Sequence, residues 1–308
     1  MGGSLDKAGL AADSEAVNVS SDYSVRSRFY TPPPQFDGCF TTFYHMTLDV
    51  PEGEVVTDYL QPEWGNIRFF AGNCPTARIG ETSIDGSRFN ATGPSSRPCW
   101  FELGSSVMWG IGLLPLGWAR FIGADAYDFA NVVYDGAQHP NFARFDVMSK
   151  ALCDPEVSTQ DQFDVIVETM EHFMQPNRDE SKIVRVHSAL VSGDFPAVGD
   201  LADECGMSIR TLERVCRRYF GFTPKLLMRR QRFMRSLTNF MLHQGSRWTE
   251  AMDGEYHDQA QFTREFSEFM TMTPSEYAAL DHPILASFME ARARVWGSAA
   301  QTLDKPNR

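Results

Sequence analysis

The sequence has 308 residues, 43% of them hydrophobic, which is enough for two domains that each bury a core. It has no run of about eighteen apolar residues, no basic-then-apolar leader and no CxxC pair among its six cysteines, so we expect a cytoplasmic protein with reduced thiols and no membrane partner. The net charge of −12 at pH 7 argues against a nucleic-acid partner unless the basic residues are clustered.

Residues 26–156 have the pattern of a β-rich domain. Before them, residues 1–25 are small, polar and acidic, and we predict a disordered tail there. β-Branched and aromatic residues then occur in short runs separated by Gly and Pro, which is typical of strands in a barrel or sandwich. The predicted strands cover residues 40–48, 66–71, 77–84, 99–103 and 107–114. Residues 116–135 are expected to fold into one or two helices.

A helix and a linker are predicted over residues 157–180. Apolar residues recur at helical spacing from 161 to 174, and the pair Pro176-Asn177 ends the pattern. The apolar face of this helix can either pack on its own β-rich domain or form the seam of a homodimer. The sequence leaves both interpretations open.

A basic helix with a buried face is predicted at residues 208–220. Ser208 can cap it, and Gly221 and Pro224 end it. Its apolar residues fall on one face: Leu212, Val215, Cys216, Tyr219 and Phe220. Residues 205–247 contain ten Arg or Lys and one acidic residue, whereas residues 1–180 contain 25 acidic and 11 basic residues. The basic residues are therefore clustered, as on a helix that lies in the major groove of DNA.

The same pattern returns fifty residues later. Asp258 stands where Ser208 stands, and the pair Thr273-Pro274 repeats Thr223-Pro224. This internal repeat indicates one supersecondary unit used twice. Between the copies, apolar residues recur at helical spacing over residues 224–243, which predicts a long helix joining the two units. Residues 283–308 are expected to form one more helix and a tail.

The strings LADECGMSIRTLERVCRRYFGFTP and YHDQAQFTREFSEFMTMTPSEY resemble the AraC/XylS family of bacterial transcription regulators. The resemblance implies a seven-helix DNA-binding domain, at residues 181–282, in which a long helix bridges two helix-turn-helix units. A weaker resemblance, carried by PPPQF and GIGLLPLGWARFIGADA, implies the cupin-like N-terminal domain of some AraC-type regulators. The predicted fold class is therefore α+β, with a mostly-β cupin-like or barrel domain followed by an all-α domain.

The resemblance also implies which side chains contact DNA, since exposed early positions of each recognition helix contact bases in this family. In the first unit these are Arg210, Thr211, Glu213 and Arg214. Arg can donate two hydrogen bonds to guanine, and Glu can accept one from cytosine. Contacts with phosphate or solvent are expected from the other arginines, which are Arg217, Arg218, Arg229, Arg230 and Arg232.

The second unit differs from the first in charge. Residues 248–281 contain eight Asp or Glu and one Arg, and Thr271 stands where the first unit has Gly221. The corresponding candidate base contacts are Gln259, Gln261, Thr263 and Arg264. The acidic surroundings should repel phosphate, so two interpretations stay open. The second unit either reads bases or buttresses the first.

The AraC architecture implies a sequence-specific transcription regulator that is not an enzyme and that binds double-stranded DNA. RNA polymerase, a second copy of the chain and a small-molecule effector on the N-terminal domain are further candidate partners. Aromatic candidates for an effector pocket are Phe43, Tyr44, Phe69, Phe70, Trp100, Trp109 and Trp118. His45 and His139 are isolated, so no metal is expected, and no cofactor is expected either.

Two other classes of protein stay open as alternatives. The first is an architectural DNA-binding protein that responds to no effector. The second is an enzyme with its active site in the N-terminal half, although strings such as GxSxG, HExxH and GxGxxG do not occur there. Neither alternative accounts for the repeat as well as an AraC-type regulator does.

Overall fold

The computed structural model describes residues 14–243, 248–254 and 256–306. A β-rich N-terminal part is followed by a helical C-terminal part, as the sequence predicts. The strands are β1 (Ser14–Val19), β2 (Ser24–Tyr30), β3 (Phe40–Asp49), β4 (Val56–Leu60), β5 (Gly65–Gly72), β6 (Thr76–Ile79), β7 (Thr82–Asp85), β8 (Phe89–Thr92), β9 (Cys99–Leu103), β10 (Ser106–Leu113) and β11 (Val133–Asp135).

The helices up to residue 173 are α1 (Pro115–Gly117), α2 (Ser149–Leu152) and α3 (Thr159–Phe173). Those that follow are α4 (Glu180–Ser192), α5 (Val198–Glu204), α6 (Ile209–Val215), α7 (Pro224–Leu242), α8 (Trp248–Ala251), α9 (Gln259–Met270), α10 (Pro274–Ala278) and α11 (Leu285–Trp296). Short π-helical turns extend α1 and α6, over Trp118–Ile122 and Cys216–Phe220. Within the described ranges, no helix is long and apolar enough to cross a bilayer.

The strands form two antiparallel sheets. One has seven strands in the order β1-β2-β3-β10-β5-β8-β11, and the other has four in the order β4-β9-β6-β7. Side chains alternate along each central strand of the larger sheet. In β3, for example, Tyr44 and Met46 face the smaller sheet, and Phe43 faces the helices. Because both faces of this sheet are buried, the strand sequence FTTFYHMTL is nearly continuous in apolar and small residues.

The predicted strands agree with β3, β5, β9 and β10 within two residues at each end. The prediction of a single strand over residues 77–84 is wrong, because this segment forms a hairpin of two strands, β6 and β7. Gly80, with φ of +56°, makes the turn between them. Only part of the segment 116–135 is helical, because Ala126–Phe129 is a 3-10 turn and the segment ends in β11.

The prediction of a tail over residues 1–25 is wrong from residue 14 onward, whereas residues 1–13 lie outside the described ranges. Strands β1 and β2 pair from Ser14 to Phe29 and extend the larger sheet at one edge. Polar residues occur here because β1 is an edge strand whose alternate side chains, such as Glu15, face solvent. Acidic composition alone therefore did not distinguish an edge strand from a tail.

Helix α3 packs on its own β-rich domain, which is one of the two interpretations left open by the sequence. Ile166 and Met170 are fully buried in the core that also contains Trp109 and Phe43. The indole N–H of Trp109 donates to Gln162 Oε1 at 2.7 Å. The apolar stripe of this helix is thus used within one chain.

One continuous hydrophobic core joins the β-rich domain to the first helix-turn-helix unit. It runs from β-domain residues such as Trp64 through α4 and α5 to Phe220 and Leu227. Trp64 and Phe220 are in edge-to-face contact, with their ring centroids 5.6 Å apart. The sequence predicts a domain boundary near residue 180, but residues on both sides of it contribute to one buried core.

The C-terminal segment returns to the β-rich domain. Helix α11 begins where Asp58 Oδ2 accepts hydrogen bonds from the backbone N–H groups of Ile284 (2.9 Å) and Leu285 (2.8 Å). A further turn, Gln301–Leu303, is packed, and Gln301 Nε2 donates to Asn66 Oδ1 at 3.0 Å. The predicted helix is confirmed, but the tail predicted after it is wrong up to residue 306. Residues 307–308 lie outside the described ranges.

We predict that Asp58→Ala detaches the start of α11. Asp58 is 2% exposed, and its carboxylate satisfies two backbone donors of the helix N-terminus. Loss of these bonds should lower the free energy of unfolding by about 2 kcal/mol. Hydrogen exchange of the α11 amides should become faster. The exposed Asp49 supplies the control variant Asp49→Ala, and equal exchange of α11 in both variants would contradict the assignment.

Candidate nucleic-acid interface

The first helix-turn-helix unit consists of α5, a turn at Gly206 and α6. Gly206 adopts φ of +60°, a conformation that favours glycine. Ser208 caps α6, since its Oγ accepts from Thr211 N–H at 3.3 Å. Leu212 and Val215 are fully buried against α5, so the polar residues of α6 must face outward. The predicted cap and buried face are both confirmed.

The exposed side of α6 presents the predicted contact residues together. Arg210, Glu213, Arg214 and Arg217 are exposed, and Thr211 is half-buried. With Thr223 they line one shallow surface depression. Arg218 is also exposed, beside the ring of Tyr219 at 5.5 Å from its centroid. The first unit thus offers a contiguous face with four arginines and one glutamate.

Two contacts tie this face to the rest of the chain, and sequence reasoning missed both. Arg214 Nη1 lies 3.4 Å from Asp179 Oδ2. Hydrogen bonds from Lys182 above all, and also from Tyr219 and Arg214, lower the pKa of Asp179 to about 2. Arg217 lies over the ring of Tyr127, a residue of the β-rich domain, at 4.9 Å. An anion that binds Arg214 would therefore compete with Asp179 for its guanidinium.

Ile209 is a further candidate that the sequence pattern did not reveal. It precedes Leu212 by three residues, so helical spacing places it on the buried face. The structure leaves it 49% exposed beside Arg210, at the first position of α6. An exposed apolar side chain at this point can contact a thymine methyl group.

The expectation that Arg229, Arg230 and Arg232 meet phosphate or solvent is wrong. Arg230 is fully buried, and it contacts the β-rich domain. Arg229 Nε and Arg232 Nη2 donate to Glu265 Oε1 at 2.9 and 2.7 Å. Arg229 also pairs with Glu268. The long helix therefore directs these charges inward and toward the second unit.

The second unit repeats the backbone geometry of the first. Asp258 Oδ1 accepts from Gln261 N–H at 2.6 Å, as Ser208 does for α6. Gly221 and Thr271 both adopt the left-handed conformation that ends a helix, with φ of +81° and +57°. Thr223 and Thr273 then cap the following helices, α7 and α10. The internal repeat predicted from the sequence is thus also a repeat of structure.

The four predicted contact residues of the second unit differ in their surroundings. Gln259 and Arg264 are exposed. Gln261 and Thr263 are half-buried and bond within the unit, since Gln261 Oε1 accepts from His257 N–H (3.2 Å) and Thr263 Oγ1 donates to Gln259 O (2.9 Å). Gln259 and Arg264 are therefore the better placed pair for a base.

The acidity of the second unit is partly internal. Glu265 is 5% exposed and accepts from Arg229, Arg232 and the hydroxyl of Tyr256. Its charge is compensated inside the protein and repels phosphate less than the sequence suggests. Glu268 differs, because its side chain is 51% exposed.

The seven aromatic candidates for an effector pocket separate into three groups. Tyr44 and Phe70 line a cavity inside the β-rich domain. Trp100 lies under Arg78, with the guanidinium 5.0 Å from the ring centroid. The others belong to the core that faces the helices, and they are Phe43, Phe69, Trp109 and Trp118. His45 packs against Trp109, and burial lowers the pKa of His45 to about 4.

We predict that Glu265→Gln and Glu268→Gln have unequal effects on stability. The first removes a buried charge that serves two arginines and should lower the free energy of unfolding by about 3 kcal/mol. The second removes a surface charge and should cost less than about 1 kcal/mol. Urea unfolding of both variants is the measurement. Equal losses would contradict the assignment of Glu265 as the buried acceptor.

Comparison with known proteins agrees with this geometry. A family model described as a helix-turn-helix domain matches residues 201–279. No curated protein gave a sequence match. The structure of ToxT from Vibrio cholerae is similar, with 11% identity, coverage of 73% of this chain and 97% of ToxT, and a TM-score of 0.43. The AraC-like transcriptional activator CuxR is similar at 13% identity, with coverage of 70% and 81% and a TM-score of 0.29.

A ToxT structure from Vibrio cholerae strain SCE256, bound to an unsaturated fatty acid, is 12% identical, with coverage of 85% of this chain and 96% of that protein and a TM-score of 0.37. The presence of a helix-turn-helix domain is shown by the matched segment and by the two capped, repeated units described above. Residues 201–279 therefore contain a helix-turn-helix domain, and they follow a β-rich N-terminal domain.

Proposed function

We propose that the protein is a sequence-specific, DNA-binding transcription regulator of the AraC/XylS type. The observation that carries the proposal is the exposed basic face of α6 within the matched helix-turn-helix segment. A solvated helix face is the simpler reading of a single basic helix. Here the same capped unit occurs twice on either side of one long helix, an arrangement that presents two recognition helices.

In the first unit, Arg210 and Arg214 are proposed to read guanine, and Glu213 is proposed to read cytosine. Thr211 and Ile209 lie beside them and suit a thymine methyl group or a neighbouring base edge. Arg217 and Arg218, farther along the helix, are proposed to contact phosphate. Phosphate contacts of this kind make the affinity depend steeply on salt concentration.

In the second unit, Gln259 and Arg264 are proposed as the principal base contacts, since both are exposed on α9. Gln261 and Thr263 are proposed as weaker contributors because their side chains already bond within the unit. Gln is suited to adenine and Arg to guanine. This unit would add specificity with little electrostatic affinity.

The remaining partners are proposed from the architecture. A small-molecule effector is proposed for the N-terminal domain, with RNA polymerase and a second copy of this chain as candidate protein partners, in the cytoplasm. No catalytic role is proposed for the N-terminal half. The alternative, an architectural DNA-binding protein without an effector, differs in one measurable way, since its DNA affinity would respond to no small molecule.

Selection of bound DNA from a random pool tests the main proposal. The full chain should be used, because the first unit shares its core with the β-rich domain. We expect one enriched sequence with two conserved segments about one helical turn apart. An enriched site with a single segment would show that the second unit reads no bases. If no sequence is enriched, the proposal of sequence-specific binding is wrong.

We predict that Arg214→Ala weakens binding to the selected site by about 1–3 kcal/mol and relaxes the preference at one base pair. Arg210→Ala should act in the same way at a different base pair. Arg294→Ala is the matched control, since Arg294 is exposed on α11, outside the two units. Gel-shift titration against all single-base variants of the site is the measurement. Equal affinity of Arg214→Ala and Arg294→Ala would contradict the proposed role.

A further inference from the structure

The two helix-turn-helix units have separate hydrophobic cores that meet along α7. Leu212 and Leu227 belong to the core that the first unit shares with the β-rich domain. Phe233 and Phe262 belong to the core of the second unit. Since Leu227 and Phe233 both lie on α7, this helix is the common axis of the two units. Long helices bend, so apolar packing on α7 leaves the angle between the units adjustable unless they also contact each other directly.

One side chain, Arg235 of α7, is paired with a carboxylate from each unit. Its Nη2 pairs with Asp194, which lies in the connection between α4 and α5, directly before the first unit. Its Nε donates to Asp253 Oδ2 at 2.6 Å, and Asp253 lies in the turn between α8 and α9 of the second unit. These three residues form an ionic bridge that joins the two units through space.

The two arms of the ionic bridge differ in exposure. The side chain of Asp253 is 10% exposed, and its backbone N–H donates to Ser236 Oγ at 2.9 Å. The side chain of Asp194 is 45% exposed. A guanidinium is planar and its N–H donors have fixed directions, so it holds both carboxylates in one relative orientation. The buried arm therefore anchors Arg235 to the second unit, and the exposed arm to Asp194 is the part that can open.

The exposed arm is weak by itself. An ion pair with this exposure changes an equilibrium constant by no more than about fivefold. Such an effect is too small to decide whether the chain folds. It is comparable with the cost of one wrong base pair in a DNA site, which is about fivefold or more. The exposed arm is therefore strong enough to tune a preference among DNA sites.

The distance between two recognition helices matters on DNA because the double helix turns. Adjacent major-groove segments on one face lie about 10 base pairs apart. One extra base pair between them moves the second segment by about 3.4 Å and rotates it by about 35°. Two units that are joined to each other can follow this change only if a contact between them opens.

We propose that Arg235, through its pairs with Asp194 and Asp253, sets the spacing of α6 and α9 and so selects DNA sites by the distance between their two segments. This inference rests on the proposed function. Arg235 is a positioning residue, since it acts through the placement of the two helices. On a site with the preferred spacing the ionic bridge stays closed, and on a site with altered spacing it opens. Its free energy therefore appears in the ratio of the two affinities.

Gel-shift titration of the full chain tests the role on DNA. The two probes are the selected site and the same site with one base pair inserted between its segments. Asp194→Ala removes the exposed arm and leaves the pair of Arg235 with Asp253 intact. We expect the ratio of the two affinities to fall about threefold. A loss of folded protein lowers both affinities equally, so a merely structural role leaves this ratio unchanged.

Asp203→Ala is the matched control, because Asp203 is exposed on α5 of the same unit and the change in net charge is the same. It should alter both affinities alike through the phosphate charge and leave their ratio unchanged. Asp194→Glu keeps the carboxylate and should keep most of the ratio. Arg235→Met removes both arms, and adding Asp194→Ala to it should have no further effect. If Arg235→Met does not fold, Asp194→Ala and Asp194→Glu decide the matter.

A second measurement needs no DNA. Nitroxide labels are attached through a noncanonical amino acid at Glu204 of α5 and Ser267 of α9, which are both exposed. Pulsed electron paramagnetic resonance then gives the distribution of distances between the two units. We expect a narrow distribution in the otherwise unchanged chain and in Asp203→Ala, and a broader one in Asp194→Ala.

Three outcomes overturn the proposal. They are equal affinity of the unchanged chain for both spacings, an unchanged affinity ratio in Asp194→Ala, and a distance distribution in Asp194→Ala as narrow as that in Asp203→Ala. If selection from the random pool enriches no sequence, the proposed function fails instead. The distance distributions then still decide whether Arg235 sets the separation of the two units, so the two failures are distinguishable.

Discussion

The arrangement of the two domains depends on the contacts that the Arg230 side chain makes between them. This side chain extends from α7 of the DNA-binding region into the β-rich domain, where it is fully buried. Its guanidinium lies 3.8 Å from the ring centroid of Trp64, and Nη1 donates to Ser95 O at 2.8 Å. Burial lowers the pKa of Arg230 to about 9. A buried cation is tolerated only where such partners are fixed, so it requires both domains in place.

The first helix-turn-helix unit also packs directly on the β-rich domain. Gly221 ends its recognition helix in the left-handed conformation, and a side chain there would also collide with Pro94 of the β-rich domain, whose Cγ would lie 2.4 Å from the added Cβ. Phe220 packs on Trp64 immediately before it. The recognition helix is therefore held in place by the β-rich domain itself. A change in that domain can reach the exposed face of α6 without crossing a flexible linker.

Local features of the chain were predictable, and long-range contacts were not. The caps Ser208 and Asp258 and the left-handed Thr271 follow from residue type and the repeat, and the structure confirms them. By contrast, the partners of Arg229 and Arg232 come from α9, more than thirty residues away. The distribution of charge along the sequence suggests that Glu265 is an exposed acidic residue. In the structure it is buried, because it pairs with two arginines of α7. The attachment of α11 to the β-rich domain is hidden for the same reason, since Asp58 and Ile284 are separated by 226 residues.

The β-rich domain and the first helix-turn-helix unit share one core. We therefore expect them to unfold as one cooperative body. Differential scanning calorimetry of the full chain tests it most directly. The account predicts that these parts unfold in one transition, with equal calorimetric and van't Hoff enthalpies. It also predicts that Arg230→Met, which removes the buried cation, shifts that transition as a whole. Two separate transitions, of which Arg230→Met moves only the one that belongs to the helical region, would contradict it.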